Sequence, residues 1–417
     1  MRLPSGRLAG SLRVPGSKSL TNRALVAAAL APGRSEIVAP LDADDTRVLA
    51  GVLARLGARV AFGASAWTVE GPVSGGRDEV VIDVGPAGTP ARFLLALLSA
   101  LPGRYVLDGS ARMRERPMGP LVDALRARGA RIEAFRREGF LPLRIAGGSL
   151  TGGEVPVRGD VSSQFLSALL LVSPVVPGGL VLRVEGEEVS GAYVELTRRV
   201  LARFAPEGAY RPARYVVAGD DSAACFAIAG AVVSRGRVRL AGLDPASPQP
   251  DAVFRSWAAR AGGRLSWEGD GEEAVLVVEG PSGPVLPLDE DVDAAPDAAL
   301  PLAALVAFAD GVSRLRRAGR LREKESDRLA AATDLLRRAG AVAQVREEAG
   351  GPALVVDGRS GAARRADFAA WDDHRVAMSA AVLALGLPPG ATVDAPDVVT
   401  KSYPRFWQDW AALVAER

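Results

Sequence analysis

The sequence predicts an α/β protein of two domains, each assembled from three copies of one repeated unit. The chain has 417 residues, more than the roughly 250–300 residues at which a single core stops growing. An apolar helix, a glycine-containing turn and a short β run recur six times, with a period of about 70 residues. In most copies an amphipathic helix and a further β run follow, as expected where helices cover a sheet.

The first helix of each copy is apolar on all sides, which predicts that it is buried. These helices are predicted at residues 24–31, 93–101, 165–172, 225–233, 300–308 and 376–385. The β runs that follow them are predicted at residues 35–41, 105–110, 180–186, 237–243, 313–319 and 392–398. Cys225, the single cysteine, falls within the fourth helix and is expected to be a core residue.

The second helix of a copy is amphipathic and is expected to cover a sheet from outside. Such helices are predicted at residues 48–60, 121–132, 254–265 and 329–345, and the sixth copy ends at residues 405–415. The chain is expected to cross between domains near residues 15–18 and 219–222. We therefore expect one domain over residues 17–221 and a second over residues 1–16 together with 222–417.

Composition excludes several classes of function. No apolar run reaches the roughly 18 residues that a membrane span needs, and the first twelve residues lack the apolar stretch of a targeting peptide. We therefore expect a cytoplasmic protein. One cysteine and one histidine predict neither a disulfide nor a zinc site, and we expect no metal and no cofactor. The net charge of +2 disfavours non-specific nucleic-acid binding. We also expect the protein to be a monomer.

The rare residue types cluster along the chain. Of the 51 basic residues only three are lysines, Lys18, Lys324 and Lys401, which leaves 51 − 3 = 48 arginines. Asn22 is the only asparagine and His374 the only histidine. A GC-rich coding bias explains why these types are scarce, but not why all five fall in short polar segments before predicted helices.

These polar segments indicate anion binding, because free N–H groups and the dipole make a helix N-terminus attractive to anions. Capping is the alternative for Ser19, Thr89 and Asp44, since such residues are common N-caps. A solvated charged face is the alternative for residues 322–328. Capping explains no lysine or arginine, because each cation at a helix N-terminus opposes the helix dipole by about 0.3–1 kcal/mol. The segments are 18–23, 88–92, 162–164, 297, 373–375, 44–47, 112–117, 190–193, 322–328 and 400–401.

Seven of these motifs together resemble the EPSP synthase (3-phosphoshikimate 1-carboxyvinyltransferase) family of enolpyruvyl transferases. They are the residues 16–23, 88–92, 112–117, 162–164, 324–329, 373–375 and 400–401. The resemblance covers the chain from Pro15 to about Trp407. It implies two domains, each of three βαβαββ units, in the inside-out α/β barrel of enolpyruvyl transferases, with the active site in the cleft between them. It also implies two small-molecule substrates, shikimate 3-phosphate and phosphoenolpyruvate.

The resemblance assigns roles to residues by motif position. For shikimate 3-phosphate it implies Lys18, Ser19, Arg23, Ser162, Ser163, Gln164, Ser190, Tyr193, Asp297 and Lys324. For phosphoenolpyruvate it implies Lys18, Gly88, Arg112, Gln164, Glu325, Arg328, Arg375 and Lys401. Thr89, Arg92 and His374 are expected to line the same pocket.

The implied reaction joins the shikimate 5-hydroxyl to C2 of phosphoenolpyruvate while C3 is protonated, and then expels phosphate and a proton. Such a reaction needs an acid and a base. The resemblance favours Asp297 beside the 5-hydroxyl and Glu325 near the methylene carbon, with Lys18 as a further proton carrier. The cations would hold both anions and stabilise developing charge.

Two positions depart from the family pattern. Pro86 stands where the family usually has asparagine, and Arg320 replaces another family asparagine on the shikimate side. Pro86 removes both a side-chain amide and a backbone N–H. These changes are expected to affect affinity and the response to inhibitors more than the class of reaction.

Two other functions compete with this reading. Transfer to a UDP-amino sugar would bring a cysteine into residues 110–117, which contain none. A non-catalytic repeat scaffold that binds anionic polymers is disfavoured by the small net charge and by the lack of interleaved basic and aromatic residues.

Overall fold

The computed structural model of the protein describes residues 1–76, 78–158, 162–185, 191–359 and 365–415. The chain divides into two compact units. One is formed by Gly16–Val217, and the other by Met1–Pro15 together with Ala218–Arg417. Each unit is an α/β structure with strands and helices alternating along the chain.

The strands are numbered in chain order. They are β1 (Arg7–Arg13), β2 (Gly33–Val38), β3 (Arg59–Phe62), β4 (Ala66–Gly71), β5 (Glu79–Asp83), β6 (Gly103–Asp108), β7 (Arg131–Ala134), β8 (Leu143–Gly147), β9 (Gly153–Arg158), β10 (Leu180–Glu185), β11 (Arg214–Val216), β12 (Arg237–Ala241), β13 (Arg264–Glu268), β14 (Val275–Glu279), β15 (Asp289–Asp291), β16 (Val312–Arg316), β17 (Val342–Glu348), β18 (Gly351–Asp357), β19 (Asp367–Phe368), β20 (Thr392–Val393) and β21 (Val414–Ala415).

The α-helices are numbered in the same way. They are α1 (Lys18–Leu30), α2 (Asp44–Arg55), α3 (Gly88–Ala100), α4 (Ala111–Arg114), α5 (Gly119–Arg126), α6 (Ser163–Val172), α7 (Gly191–Phe204), α8 (Asp221–Ser234), α9 (Phe254–Arg260), α10 (Ala299–Val306), α11 (Arg328–Ala339), α12 (His374–Gly386) and α13 (Phe406–Leu413). Short 3₁₀ segments include Ala318–Glu323 and Pro396–Lys401.

The Gly16–Val217 unit contains a sheet of order β5-β6-β8-β7 that shows the repeated pattern. β5 and β6 are parallel and are joined by α3, while β7 and β8 form an antiparallel hairpin whose β8 pairs with β6. The sheet β11-β2-β4-β3 has the same pattern, and β9 pairs in parallel with β10. The parallel partner of β2 is β11. The last strand of the Gly16–Val217 unit therefore pairs with its first strand.

The other unit repeats this arrangement. The sheet β15-β16-β18-β17 has one parallel pair and an antiparallel hairpin, and β19 pairs in parallel with β20. The third sheet has the order β13-β14-β12-β1-β21. β1 pairs in parallel with β12, so the first residues of the chain complete a sheet whose other strands come from the second half.

Apolar helices form the core of each unit. α1, α3 and α6 contact one another in the Gly16–Val217 unit, and α8, α10 and α12 do so in the other. Most of their side chains are buried, whereas strands such as β12 alternate fully buried residues with half-buried or exposed ones. Cys225 is fully buried in α8, which confirms its predicted place in the core.

The predicted apolar helices begin too late in the sequence. α12 begins at His374 rather than at Val376, and α3 begins at Gly88 rather than at Phe93. The polar residues therefore form the first turn of each helix instead of preceding it. Hydrophobic pattern alone starts a helix at its first apolar residue, whereas a cap such as Asp373, which accepts the N–H of Arg375, starts it earlier.

The predicted amphipathic helices and the last β run extend too far. α11 ends at Ala339, where Gly340 adopts a left-handed conformation with φ +96°, and not at residue 345. β20 ends at Val393, because Pro396 begins a 3₁₀ segment and Asp394 accepts the N–H of Ala395. The helix predicted at residues 329–345 was too long because apolar residues at the start of β17 fit the helical pattern, although they follow the turn that ends α11.

No helix in the described part of the chain combines the length and the apolar character needed to cross a membrane.

Candidate active site

Each of the three lysines lies next to a carboxylate. The pairs of Nζ and carboxylate oxygen are Lys18–Asp45 at 3.2 Å, Lys324–Asp297 at 3.3 Å and Lys401–Glu325 at 3.4 Å. The lysine side chains are only 13%, 23% and 11% exposed, respectively. The rarity of lysine in the sequence therefore coincides with a shared environment, a partly buried ion pair.

Arg328, the first residue of α11, binds three carboxylates. Its Nε lies 2.8 Å from Asp373 Oδ2, its Nη1 2.8 Å from Asp297 Oδ1 and its Nη2 2.9 Å from Glu325 Oε2. The Arg328 side chain is 1% exposed, so its charge depends on these partners. The expectation of a solvated charged face is wrong for Arg328 and for Glu325, whose side chain is 14% exposed.

Asp297 lies just before α10 and is surrounded by cations. Burial acts to raise its pKa, but the charges of Arg375, Lys324 and Arg328 outweigh burial and hold the pKa of Asp297 well below its ordinary value. The carboxylate is therefore ionised before any ligand binds.

The start of α12 supplies the third cation of this group. Arg375 Nη2 lies 3.1 Å from Asp297 Oδ2, and its Nη1 donates to the Asp297 carbonyl oxygen at 3.2 Å. His374 is buried, and its Nδ1 lies 3.6 Å from Asp373 Oδ1. Burial acts to raise the pKa of Asp373, but Arg328 and His374 outweigh burial and lower that pKa to about 2.

Asp251 is a buried carboxylate beside this group that the sequence reading did not single out. Ser222 Oγ donates to its Oδ2, while Oδ1 is buried and has no hydrogen-bond partner in the described part of the chain. Burial and the charge of Asp297 raise the pKa of Asp251 to about 7, although Arg375 and Ser222 act to lower it. The carboxyl group is therefore poised to change its charge near neutral pH.

In the Gly16–Val217 unit, α1 carries three predicted site residues on its first turns. Lys18 and Ser19 begin the helix, and Arg23, 2% exposed, follows one turn later. Arg23 donates from Nη1 to the Ser19 carbonyl oxygen at 2.8 Å, from Nε to Thr197 Oγ1 at 2.8 Å and from Nη2 to Ser167 Oγ at 2.9 Å. Burial lowers the pKa of Arg23 to about 10. Most N–H groups of the Arg23 side chain therefore form hydrogen bonds within the protein, which connect α1 with α6 and α7.

Tyr193 in α7 joins the same network through its backbone. Its carbonyl oxygen accepts from Arg23 Nη2 at 3.1 Å and from Ser167 Oγ at 3.4 Å. These bonds connect α7 with α1 and α6. Ser190, which the sequence assigns to shikimate 3-phosphate, lies outside the described residues.

The beginnings of α3 and α6 meet through side chains. Gln164 Nε2 donates to Thr89 Oγ1 at 3.2 Å, next to Gly88, the first residue of α3. Ser162 is the N-cap of α6, and its Oγ accepts the N–H of Gln164 at 3.4 Å. Ser163 is 6% exposed. Five predicted residues are therefore brought to one pair of helix N-termini.

Two predicted arginines near α3 lie in different environments. Arg92 is 3% exposed and donates to the carbonyl oxygens of Gly88 and Pro117, each at 3.1 Å. Arg112 lies in α4, with its side chain 39% exposed and its Nη1 2.9 Å from Glu115 Oε2. Arg92 therefore organises the turn, while Arg112 stays accessible to a ligand.

Capping does not account for the polar residues that it was offered to explain. The N-caps of α1, α2 and α3 are Ser17, Ala43 and Ala87, so Ser19, Asp44 and Thr89 lie inside the helices. The capping alternative is therefore wrong for all three.

Of the two departures from the family pattern, Pro86 lies in a turn and Arg320 in the 3₁₀ segment Ala318–Glu323. Pro86 is exposed and follows Gly85, whose φ is +55°, in a turn closed by the Ala87 N–H on the Val84 carbonyl oxygen at 3.1 Å. Arg320 is held by Asp293, with 3.0 Å between Nε and Oδ1.

Sequence reasoning missed three carboxylates that lie beside predicted site residues: Asp45 in one unit, and Asp373 and Asp251 in the other. Asp45 and Asp373 stand in motifs that had been noted for their cations, and a search for the carboxylate that pairs with each lysine or arginine would have singled them out. Asp251 follows a Gln-Pro pair in the 3₁₀ segment Pro250–Val253, and only its burial distinguishes it.

Together these groups can bind anions and move protons. In the unit that contains α11, four cations, Lys324, Arg328, Arg375 and Lys401, face the three carboxylates Asp297, Glu325 and Asp373. The four cations suit an anionic ligand, and carboxylates beside cations suit acid–base chemistry. No group of His, Cys, Asp and Glu among the described residues could hold a metal ion.

Comparison with known proteins identifies the relatives of this chain. The sequence profile of the family "EPSP synthase (3-phosphoshikimate 1-carboxyvinyltransferase)" matches residues 3–410. A 3-phosphoshikimate 1-carboxyvinyltransferase of Bordetella bronchiseptica is 40% identical, covering 100% of this chain and 98% of the relative. The enzyme of the same name from Burkholderia vietnamiensis is 38% identical and covers 98% of both chains.

Solved structures show the same fold. EPSP synthase from Acinetobacter baumannii superimposes with a TM-score of 0.80 at 23% identity, covering 99% of this chain and 97% of the other. The enolpyruvyl transferase NikO from Streptomyces tendae gives a TM-score of 0.75 at 18% identity, with 99% and 96% coverage. The predicted two-domain enolpyruvyl transferase fold is confirmed. With a profile match over nearly all its length and relatives 40% identical end to end, the chain belongs to the EPSP synthase family.

Proposed function

We propose that this protein transfers the enolpyruvyl group of phosphoenolpyruvate to the 5-hydroxyl of shikimate 3-phosphate, giving 5-enolpyruvylshikimate 3-phosphate and phosphate. The observation that carries the proposal is the cluster around Arg328, in which one buried guanidinium orients Asp297 and Glu325. These are the two carboxylates to which the family resemblance gives opposite proton-transfer roles. The identity of the two substrates follows from membership of the EPSP synthase family.

Shikimate 3-phosphate is proposed to bind mainly through polar groups at helix starts. Three observations support this: α1 and α6 begin with hydroxyl and ammonium groups, Ser162 caps α6, and Lys324 pairs with Asp297. The proposed residues are Lys18, Ser19, Arg23, Ser162, Ser163, Gln164, Ser190, Tyr193, Asp297 and Lys324. Because most Arg23 donors are already engaged, Arg23 is proposed to fix the pocket and to offer its remaining Nη1 proton.

Phosphoenolpyruvate is proposed to bind through cations and a helix N-terminus. The proposed residues are Lys18, Gly88, Arg112, Gln164, Glu325, Arg328, Arg375 and Lys401, with Thr89, Arg92 and His374 alongside. Its phosphate and carboxylate both need charge-assisted hydrogen bonds, which arginine and exposed helix N–H groups provide. Since Arg328 is 1% exposed and each of its three nitrogens already donates to a carboxylate, a ligand bound there must compete with these carboxylates.

Asp297 is proposed as the base. It takes the proton of the 5-hydroxyl as that oxygen attacks C2 and C3 is protonated. The resulting intermediate later loses phosphate from C2 and a proton from C3, which the Glu325 carboxylate, deprotonated by its earlier donation, would accept. In the unliganded protein the nearby cations keep the pKa of Asp297 low, which makes Asp297 a weak base. Anionic substrates that share Arg375, Lys324 and Arg328 would weaken this effect, so substrate binding itself would raise the basicity of Asp297.

Glu325 is proposed as the acid that protonates C3. Its carboxylate lies 2.9 Å from Arg328 Nη2 and 3.4 Å from Lys401 Nζ, so it must take up a proton before it can donate one. Lys18, paired with the 3% exposed Asp45, is proposed as a further proton carrier. The remaining cations stabilise the charge that develops on the departing phosphate.

The test is phosphate release from phosphoenolpyruvate with shikimate 3-phosphate as acceptor, compared with a UDP-amino sugar as acceptor. We expect release only with shikimate 3-phosphate. Phosphate release with the UDP-amino sugar alone would show that the protein catalyses the alternative reaction. No phosphate release with either acceptor would overturn enolpyruvyl transfer. An Asp289→Asn variant, which alters a 54% exposed carboxylate outside the site, is the matched control for Asp297→Asn.

A further inference from the structure

Arg116 is a buried cation without the partners that buried cations normally have. It follows α4 in the chain and is 8% exposed. Its Nε and Nη1 are buried and have no hydrogen-bond partner among the described residues. A buried guanidinium whose donors are unsatisfied is costly, because it has lost water and gained nothing in exchange. Such a group is explained if an anion supplies the missing interaction when it binds.

The Arg116 guanidinium lies directly against the N-terminus of α3. A Cβ built on Gly88, the first residue of that helix, would stand 2.4 Å from Arg116 Nη1, 2.9 Å from Cζ and 3.0 Å from Nη2. Only glycine leaves room for the guanidinium at this distance. A positive group therefore sits against the positive end of a 13-residue helix, an arrangement that raises the free energy of the protein unless an anion is present.

The neighbouring groups hold this arrangement in place. Arg92 donates to the carbonyl oxygens of Gly88 and Pro117, and Pro117 is the residue next to Arg116. Arg92 thereby ties the first turn of α3 to the segment that carries Arg116. Glu115, the nearest carboxylate along the chain, pairs with Arg112 instead. Two arginines, Arg92 and Arg116, thus flank Gly88 without a carboxylate paired to Arg116 in the described part of the chain.

We propose that Arg116 is an anion-positioning residue, which holds the Gly88 turn and adds positive charge behind it for the phosphate or carboxylate group of phosphoenolpyruvate. The proposal rests on the proposed function for the identity of the ligand, and on the burial and geometry of Arg116 for the site. Arg116 acts through Gly88, whose backbone N–H faces the helix N-terminus, and takes no part in proton transfer. Its effect is therefore confined to affinity for the anion bound at this helix.

The experiment compares Arg116→Met, which removes the charge, with Arg116→Lys, which keeps it. For Arg116→Met we expect KM for phosphoenolpyruvate to rise about 10- to 100-fold, the range for a lost charge-assisted interaction. The kcat and the KM for shikimate 3-phosphate should change less than about 3-fold. Inhibition by inorganic phosphate, competitive with phosphoenolpyruvate, should weaken by a similar factor. Arg116→Lys should fall between wild type and Arg116→Met, because it restores the charge but not the flat guanidinium.

A matched control and the opposing outcomes make the test decisive. Arg114→Met removes an arginine of the same segment that is 38% exposed and paired with Asp108 at 2.6 Å, and it should leave KM for phosphoenolpyruvate unchanged. A purely structural role for Arg116 predicts equal losses in kcat and in both KM values, with Arg116→Lys no better than Arg116→Met, and would overturn the proposal. So would an unchanged KM for phosphoenolpyruvate in a folded Arg116→Met. Wild type that neither turns over nor responds to phosphate overturns the proposed function instead.

Discussion

Arg375 and Asp297 are joined twice, by Nη2 on Oδ2 at 3.1 Å and by Nη1 on the Asp297 carbonyl oxygen at 3.2 Å. The double contact holds the side chain and the backbone of Asp297 together, so the carboxylate is fixed in one orientation. Lys324 and Arg328 approach the other oxygen, Oδ1. The base proposed for the reaction is thus oriented by three cations that also suit the anionic substrates.

The first prediction concerns Asp297→Asn, which keeps the size of the side chain but removes the base. We expect kcat to fall by at least about 100-fold, the low end for loss of a proton-transfer group. Steady-state phosphate release measures this. The control, Asp289→Asn, should retain near-normal kcat because Asp289 pairs with Arg316 on the exposed part of its sheet. Near-normal turnover in a folded Asp297→Asn would remove Asp297 from the proton-transfer step.

The second prediction is a difference between two pH profiles. In the free protein, burial acts to raise the pKa of Asp297, but Arg375, Lys324 and Arg328 outweigh it and hold that pKa well below its ordinary value. Anionic substrates shield these cations, so the pKa should be higher in the substrate complex. The acid limb of kcat should therefore lie at higher pH than the acid limb of kcat/KM, because the first reports the complex and the second the free enzyme. Coincident limbs would contradict substrate-driven activation of Asp297.

The third prediction concerns the stability of the fold and Asp251. Burial and Asp297 raise the pKa of Asp251 to about 7, against an opposing effect of Arg375 and Ser222, and Asp220 adds to the raising. A raised carboxyl pKa means that the folded protein keeps a proton which the unfolded chain releases between about pH 4 and pH 7. The free energy of unfolding should therefore fall as pH rises through this window, by at most about 4 kcal/mol from this group.

Asp251→Asn should remove that contribution, since the amide cannot ionise and can still accept from Ser222. We expect the variant to gain stability relative to wild type as pH rises from 4 to 7, as measured by urea unfolding at a series of pH values. Asp221, whose pKa burial raises to about 6 despite Arg255, titrates in both proteins and cancels in the comparison. A constant difference between the two proteins across the window would show that Asp251 stays ionised.

The architecture and the residues of the candidate site could be predicted from the sequence, but the contacts that set the electrostatics around these residues could not. The repeated apolar helices predicted buried centres, and α8, α10 and α12 are such centres. Motif position picked out Arg328 as a ligand-binding residue, because the motif is local. It could not show that Arg328 binds Asp297 and Asp373, which are 31 and 45 residues away. Such pairing depends on how the sheets bring α11 and α12 together.

The burial of Arg116 could not be predicted from the sequence either. The sequence placed it in a motif beside Arg112, and nothing in the pattern separates an exposed arginine from a buried one. In the structure, Arg112 is 39% exposed and paired with Glu115, whereas Arg116 is 8% exposed against Gly88. Next to Arg116, the Pro117 carbonyl oxygen accepts from Arg92, a tertiary contact between residues 25 positions apart, and a local motif does not reveal such a contact.

The last prediction concerns Lys18, one of three lysines in a chain with 48 arginines among its 51 basic residues. Its Nζ lies 3.2 Å from Asp45 Oδ2, with the two side chains 13% and 3% exposed. Arginine would keep the charge, so charge alone cannot require lysine here. Lysine differs in offering a compact ammonium whose pKa can be lowered enough to exchange a proton, whereas guanidinium is planar, larger and always protonated.

We therefore expect Lys18→Arg to fold normally and to keep an ion pair with Asp45, but to lose at least about 100-fold in kcat. Circular dichroism establishes folding, and steady-state phosphate release gives kcat. Lys401→Arg is a useful comparison, because Lys401 also pairs with a carboxylate, Glu325 at 3.4 Å, yet is proposed only to bind and stabilise charge. It should lose affinity for phosphoenolpyruvate more than kcat. If Lys18→Arg turns over within a few-fold of wild type, then lysine was kept at this position by chance, and proton exchange at Lys18 is excluded.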